Sequence, residues 1–238
     1  MADGKLDCMP RTARIAPGGR AYHAMNRGCG RCTLFETAKD YMAFERVIDY
    51  ALERHPTRIL GYCLMPNHFH FVVWPERDGE LTFFMRSLTH AHTQRWHAFH
   101  HTAGTGHLYQ GRFKSFPIQE DTHLLKVMRY VERNPLRANL VERAEQWRWS
   151  SLWRRERGTE KQRSVLSEWP FPRPSDWVEQ VNQPETPAEL EALRRSVRRG
   201  SPFGEASWVT DTARALRLER TLRPQGRPPA AGKEAPVA

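Results

Sequence analysis

Two histidines separated by one residue are the first feature of the sequence that could do chemistry. His68-Phe69-His70 lies in the apolar run HFHFVVW, whose composition predicts a β-strand. Alternate side chains of a strand point to the same face, so both imidazoles would share one face while Phe69 points to the other. Two neutral imidazoles side by side can bind a divalent metal ion. A pair of histidines on a solvated sheet face explains the tripeptide equally well.

A tyrosine and an asparagine at helical spacing are the second such feature. Tyr130 and Asn134 are four residues apart in the run LLKVMRYVERNPLRAN, which is helical in pattern up to Pro135. We therefore expect them to project together, with the phenol as a candidate nucleophile and the carboxamide oxygen as a candidate metal ligand. A half-buried structural tyrosine is the more common role when this helix is considered alone.

The chain is strongly basic, which favours a polyanionic partner. Lys and Arg outnumber Asp and Glu by 37 to 27, which gives a formal net charge of +10 and a pI near 9.9. Nucleic acid is the first partner that such a charge suggests. Arg129, Arg133 and Arg137 recur at every fourth residue, which predicts a basic stripe that could follow a phosphate backbone.

A short segment further upstream mixes aromatic and cationic side chains. Tyr109, Arg112 and Lys114 are the residues expected to contact DNA, because such mixtures occur where unpaired bases stack and phosphates bind. An ordinary basic loop with aromatic anchors in the core is the alternative interpretation.

Other features of the sequence exclude several classes of protein. No apolar run approaches the roughly 20 residues that cross a bilayer, and the first residues lack the apolar stretch of a secretion signal, so a cytoplasmic, nucleoid-associated protein without membrane contact is expected. Cys29 and Cys32 form the one CxxC pair. A structural zinc site usually requires two such pairs, so we interpret these residues as ordinary reduced thiols.

The elements that would position these residues follow from hydrophobic periodicity and turn signals. In chain order the pattern predicts strand, helix, strand, strand, helix, strand and a further helix. The predicted bounds are strand 20–27, helix 38–54, strand 58–64, strand 68–74, helix 80–100, strand 114–120 and helix 121–134. This order is typical of a ferredoxin-like α+β domain, an antiparallel sheet with helices on one face.

The domain organisation is predicted from shifts in composition. Residues 1–155 are assigned to the main domain, 156–187 to a proline-rich linker, 188–222 to a small helical accessory segment and 223–238 to a disordered basic tail. The accessory segment includes LRRSVRRG at Leu193–Gly200, which could either bind DNA or pack on the main domain.

Three runs together resemble one known family. YCLMPNHFHF (62–71), GHLYQGRFKS (106–115) and RYVERNPLRAN (129–139), in this order and spacing, resemble the REP-associated tyrosine transposases, which belong to the single-tyrosine HUH transposases of bacterial insertion sequences. The resemblance covers roughly residues 10–153. It departs from the family at Cys29 and Cys32, where polar residues are expected, and in the C-terminal extension, which leaves the choice of substrate open.

The resemblance implies a role for each of four residues. It makes His68 and His70 metal ligands, Tyr130 the nucleophile and Asn134 the polar residue that helps to hold the metal. The implied reaction cleaves and rejoins single-stranded DNA, typically at hairpins formed by palindromic repeats, through a 5′-phosphotyrosine and with Mg²⁺ or Mn²⁺ as the divalent cofactor. Two imidazoles and an amide are softer ligands than magnesium prefers, so manganese is chemically plausible beside it.

Two other functions remain open from the sequence. A non-catalytic DNA-binding regulator of repeat elements could keep the same fold, and a metal-dependent RNA nuclease could use a similar sheet without a tyrosine nucleophile. The chain does not decide between a monomer and a homodimer.

Overall fold

The computed structural model describes residues 15–223. The predicted disordered tail, apart from Arg223, and the first 14 residues, including Cys8, lie outside the described residues.

The ferredoxin-like α+β fold is confirmed. The four strands are antiparallel and adjacent in the order β2-β3-β1-β4, the sheet order of this topology. The main elements are β1 (Tyr22–Arg27), α1 (Ala38–Arg54), β2 (Arg58–Met65), β3 (His68–Trp74), α2 (Glu80–His100), β4 (Lys114–Pro117) and α3 (Thr122–Glu132). Strand β4 is shorter than predicted; Pro117, which has no amide hydrogen for the ladder, is its last residue.

Helix α1 illustrates why these segments adopt their structures. Its N-cap is Thr37, whose backbone N–H donates to Asp40 Oδ2 over 2.8 Å, so a capping box begins the helix. Among the apolar residues at three- and four-residue spacing, Phe44 and Ile48 are fully buried against the sheet. The helix ends at Arg54, two residues before Pro56.

The alternation of the strands divides the core into two layers. Phe69, Phe71 and Val73 of β3 face α1 and α2, the two helices that share one face of the sheet. His70 and Val72 point to the opposite face, which α3 covers. The predicted histidine pair therefore lies between the sheet and α3.

The chain continues after α3 through short helices. They are α4 (Asn134–Arg137), α5 (Ser151–Arg157), α6 (Glu160–Arg163), α7 (Trp177–Asn182), α8 (Pro187–Arg199), α9 (Ala206–Ala215) and α10 (Glu219–Leu222), with 3-10 turns at Cys29–Arg31 and Ala144–Gln146. Asn134 thus begins a separate short helix, because Pro135 has no amide hydrogen with which to continue α3.

The proline-rich segment 156–187 differs from the predicted linker. Trp169 and Trp177 are buried in the layer formed with α3, and the Trp177 indole N–H donates to Glu132 Oε2 over 2.7 Å. Composition suggested a spacer, but each tryptophan buries a large apolar surface that outweighs the weak local propensity around it. The segment is therefore packed onto the domain.

The accessory segment also packs on the main domain. Leu193 of α8 is buried beside α3, and the Gln119 backbone N–H donates to the Phe203 carbonyl over 3.0 Å at the end of β4. Helix α8 thereby lies next to the face that carries the histidines. Within residues 15–223, no helix is long and apolar enough to cross a membrane.

Candidate nucleic-acid-processing site

The two predicted histidines share one face of β3 and are adjacent. The ring centroids of His68 and His70 are 4.9 Å apart with the planes at 86°. His68 Nδ1 lies 2.7 Å from Asn67 Oδ1, and because an amide oxygen can only accept, His68 donates at Nδ1 and keeps Nε2 free. His68 is half-buried, whereas His70 is 2% exposed.

A third histidine, which the sequence analysis missed, contacts this pair. His23 on β1 is fully buried, and its Nε2 lies 2.8 Å from His70 Nδ1. The alternation of RAYHAMNR marks the face on which His23 lies, but only the pairing of β1 with β3 brings it beside His70.

Burial keeps all three imidazoles neutral near pH 7. Desolvation, followed by the charges of Arg27 and Arg137, lowers the pKa of His68 to about 3. Desolvation and His68 lower the pKa of His23 to about 3, and desolvation lowers the pKa of His70 well below its usual range. Neutral imidazole is the form that binds a metal ion.

Tyr130 projects from α3 onto the same histidines. Its ring centroid lies 5.8 Å from that of His70, with the planes at 84°, and the side chain is nearly buried. The guanidinium carbon of Arg137 sits 4.3 Å from the Tyr130 ring centroid. Burial raises the pKa of Tyr130, and the nearby Arg137 and Arg194 oppose that rise. The phenol is therefore protonated at neutral pH.

Asn134 lines the same cleft, as its four-residue spacing from Tyr130 predicted. Its Nδ2 is buried and has no hydrogen-bond partner among the described residues, so a group bound in the cleft could satisfy it. Within residues 15–223, no group of three or more His, Cys, Asp or Glu side chains is arranged to hold a metal. A metal here would rely on the two histidines and oxygen ligands such as Asn134 Oδ1 or phosphate, a donor set that suits a divalent ion.

These residues line a cleft of about 410 Å³ with cationic walls. The lining includes no Asp or Glu, and it includes six cationic residues, namely Arg27, Arg112, Lys114, Arg137, Arg194 and Arg198. Arg112 and Lys114 are exposed, in keeping with a surface open to a ligand. Arg194 and Arg198 come from α8, and no local signal in the sequence connects that helix with this cleft. The cleft is therefore complementary to a polyanion.

Tyr109, which was predicted as a DNA contact, is largely buried. The side chain is 7% exposed, and its hydroxyl lies 2.6 Å from Nδ1 of the buried His92. This contact anchors the loop to α2.

The predicted arginine stripe is also occupied within the chain. Arg129 pairs with Glu189 at 3.1 Å, and Glu185 pairs with Arg133 at 3.4 Å and with Arg137 at 2.8 Å. Arg133 also donates to the carbonyls of Val181 and Asn182. Only Arg137 of the three faces the cleft. The stripe mainly holds the C-terminal segment. Helical spacing could not predict this, because the ion pairs join residues that are far apart in the sequence.

The protein is thus an α+β domain whose cleft presents paired histidines, a tyrosine and arginines to an anionic ligand. Residues 19–134, just under half of the chain, match the family described as IS200-like transposases. This segment of the chain is therefore similar to an IS200-like transposase domain.

Two solved structures are similar to the chain at low identity. A REP-associated tyrosine transposase bound to a REP hairpin is 20% identical, with a TM-score of 0.46 over 61% of this chain and 83% of that one. A putative transposase from Deinococcus radiodurans is 15% identical, with a TM-score of 0.37 over 56% of this chain and 96% of that one. No functionally curated protein matches the chain.

Proposed function

We propose that this protein cleaves and rejoins single-stranded DNA at hairpin-forming repeats through a 5′-phosphotyrosine on Tyr130. The observation that carries the proposal is the position of Tyr130, whose ring lies 5.8 Å from the ring of His70 in a cleft also lined by His68 and Asn134. Such a juxtaposition of a phenol with neutral imidazoles is what a metal-assisted tyrosine nucleophile requires.

The reaction exchanges one phosphodiester for another. Tyr130 Oη forms a bond to phosphorus as the bond from phosphorus to the 3′-oxygen breaks, and the phenolic proton is lost while the leaving 3′-oxygen gains one. The DNA 3′ of the nick stays on the enzyme by its 5′-phosphate. Because the two diesters are similar in energy, an incoming 3′-hydroxyl can reverse the step without ATP.

His68, His70 and Asn134 are the residues that would hold Mg²⁺ or Mn²⁺. When bound there, such an ion polarises the scissile phosphate and neutralises charge that develops in the transition state. His68 is prepared for this role because its hydrogen bond to Asn67 leaves Nε2 free.

Cationic residues would orient the phosphate and favour the phenolate. Arg137 packs on the Tyr130 ring and opposes the rise in the pKa of the phenol that burial causes. Arg194 acts in the same direction from α8. In a cleft without carboxylates, these charges stabilise an anionic nucleophile beside an anionic substrate.

The decisive experiment traps the covalent intermediate. Purified protein is incubated with hairpin DNA that carries randomised single-stranded flanks, labelled at either the 5′ or the 3′ end, with Mn²⁺ or Mg²⁺. The proposal predicts a protein band that retains on a denaturing gel only the label 3′ of the nick, and that disappears in Tyr130→Phe and with chelator. Binding without adduct under either metal would instead favour a DNA-binding regulator.

An RNA nuclease is distinguished by the same variant. Such an enzyme would not need the phenol and would form no covalent product, so Tyr130→Phe would leave RNA cleavage intact. The hairpin named for the similar REP-associated transposase makes a palindromic repeat the first DNA to test.

A further inference from the structure

A second, larger groove adjoins the cleft and runs along α2. It encloses about 1010 Å³ and is bordered by Asn26, Gln110, Gly111 and Arg112, the four residues that also line the cleft. The Asn26 amide donates to the Gly111 carbonyl over 3.2 Å, which fixes the loop where the two spaces meet. Because α2 packs on the face of the sheet opposite Tyr130, a ligand seated near Tyr130 would reach this groove by passing around these four shared residues.

The groove is cationic. Arg54, Arg86 and Arg112 line it, all three are exposed, and none of its lining residues is Asp or Glu. The neighbouring cavity between α1 and α2 differs, because Asp40 forms part of its wall. A lining with three arginines and no carboxylate is complementary to a phosphate backbone.

The groove also presents an aromatic platform. Phe83 of α2 is 51% exposed, and its ring stacks on His55 with centroids 5.8 Å apart and planes at 22°. Tyr50 lies in the same groove beneath Arg54, whose guanidinium carbon is 5.3 Å from the ring centroid. Exposed aromatic rings between arginines are what unpaired bases stack on, whereas a base-paired stem would hide its base faces.

We propose that this groove binds the single-stranded DNA that flanks the scissile phosphate, with a base stacked on Phe83 and the backbone held by Arg86. The inference rests on the proposed function, since it supplies the path of the same substrate. It assigns the unpaired flank to the α2 side of the domain.

Helix α2 offers a matched control for the test. Phe99 is 68% exposed on the same helix but lines the separate cavity next to α1. Phe83→Ala therefore removes an exposed phenyl ring from the groove, and Phe99→Ala removes one from the other cavity. Both are made in the Tyr130→Phe background, so that binding is measured without cleavage, and thermal melting checks that each remains folded.

The probes are fluorescent hairpins with and without a randomised ten-nucleotide single-stranded tail, titrated by anisotropy. We expect Phe83→Ala to weaken binding of the tailed hairpin about tenfold while Phe99→Ala and the tailless hairpin are unaffected. Arg86→Gln is expected to reduce the dependence of affinity on salt, and Arg46→Gln, on the other cavity, to leave it unchanged.

The outcomes separate this inference from the proposed function. Equal affinity of the Phe83→Ala and Phe99→Ala proteins for the tailed probe overturns the groove assignment while the adduct assay still stands. If Phe83→Ala lowers the affinity for tailed and tailless hairpins equally, the groove assignment is overturned and the groove binds the stem instead. A parent protein that binds no hairpin probe overturns both.

Discussion

His23 and His70 lie on neighbouring antiparallel strands with His23 Nε2 2.8 Å from His70 Nδ1. For His70 to bind a metal through Nε2, its Nδ1 must carry the proton and donate to His23. The His23 ring is held in place by Phe116, on which it stacks with centroids 4.7 Å apart. The buried histidine on β1 thus orients the ligand on β3.

His23→Leu is expected to weaken Mn²⁺ binding by about tenfold or more, because His70 loses the acceptor that sets its tautomer and orientation. Isothermal titration with Mn²⁺ measures this without DNA. His23→Gln, which keeps an acceptor, should retain most of the affinity. His92→Leu removes another buried histidine, one outside the cleft; an equal loss of Mn²⁺ affinity there would mean that the effect is general destabilisation.

Arg194→Gln is expected to slow adduct formation on the order of tenfold, because a cation that faces Tyr130 from α8 is lost. The rate of covalent product in single-turnover assays is the measurement. Arg195→Gln, one residue further on and outside the cleft lining, is the control. Equal rates of adduct formation in the two variants would mean that α8 does not contribute to the reaction.

Glu185→Ala is expected to destabilise the protein by about 3 kcal/mol, because the carboxylate is 3% exposed and two largely buried guanidinium groups lose the negative charge that pairs with them. Urea unfolding measures the change in free energy. Glu191→Ala removes an exposed pair with Arg198 and should change the stability much less, because water and salt screen such a pair. Similar values for both would mean that Glu185 does not hold the extension.

Glu132 predicts how stability depends on pH. Burial raises the pKa of this carboxyl in the folded protein, although hydrogen bonds from Ser151 and Trp177 oppose the rise. The folded state therefore binds the proton more tightly than the unfolded state, so the contribution of Glu132 to stability increases as pH falls through its raised pKa towards the usual value of 4.5.

In Glu132→Gln this pH-dependent contribution to the free energy of unfolding should be absent. Melting temperatures of both proteins between pH 4.5 and 7 test it, and the parent protein is expected to gain stability relative to Glu132→Gln as the solution is acidified. A constant difference over that range would mean that Glu132 does not change its protonation on folding.

Local patterns in the sequence predicted much of the fold. The periodicity around Phe44 and the turn between β2 and β3 depend on neighbouring residues, so the elements and their order were predictable. The shared face of His68 and His70 follows from strand geometry alone. The proximity of Tyr130 and Asn134 follows from four-residue spacing, which survives the interruption at Pro135.

The remaining features depend on contacts between distant segments. His23 and His70 are 47 residues apart and meet only through strand pairing. Glu185 neutralises arginines that the helical pattern left free, and its contact with Arg137 spans 48 residues. Composition gave no reason for Trp177 to be buried, because its environment is created by Glu132 on another helix.

The packing of residues 156–199 over the second face of the sheet has a consequence for shortened genes. A reading frame that stops near codon 155 would still encode His68, His70, Tyr130 and Asn134. Its product would expose the apolar layer that Trp169, Trp177 and Leu193 cover, and would lack the wall of the cleft that α8 provides. Intact motifs are therefore not sufficient evidence that a gene copy encodes a functional protein. Gene copies should be sorted by whether the last third of the reading frame is free of stop codons.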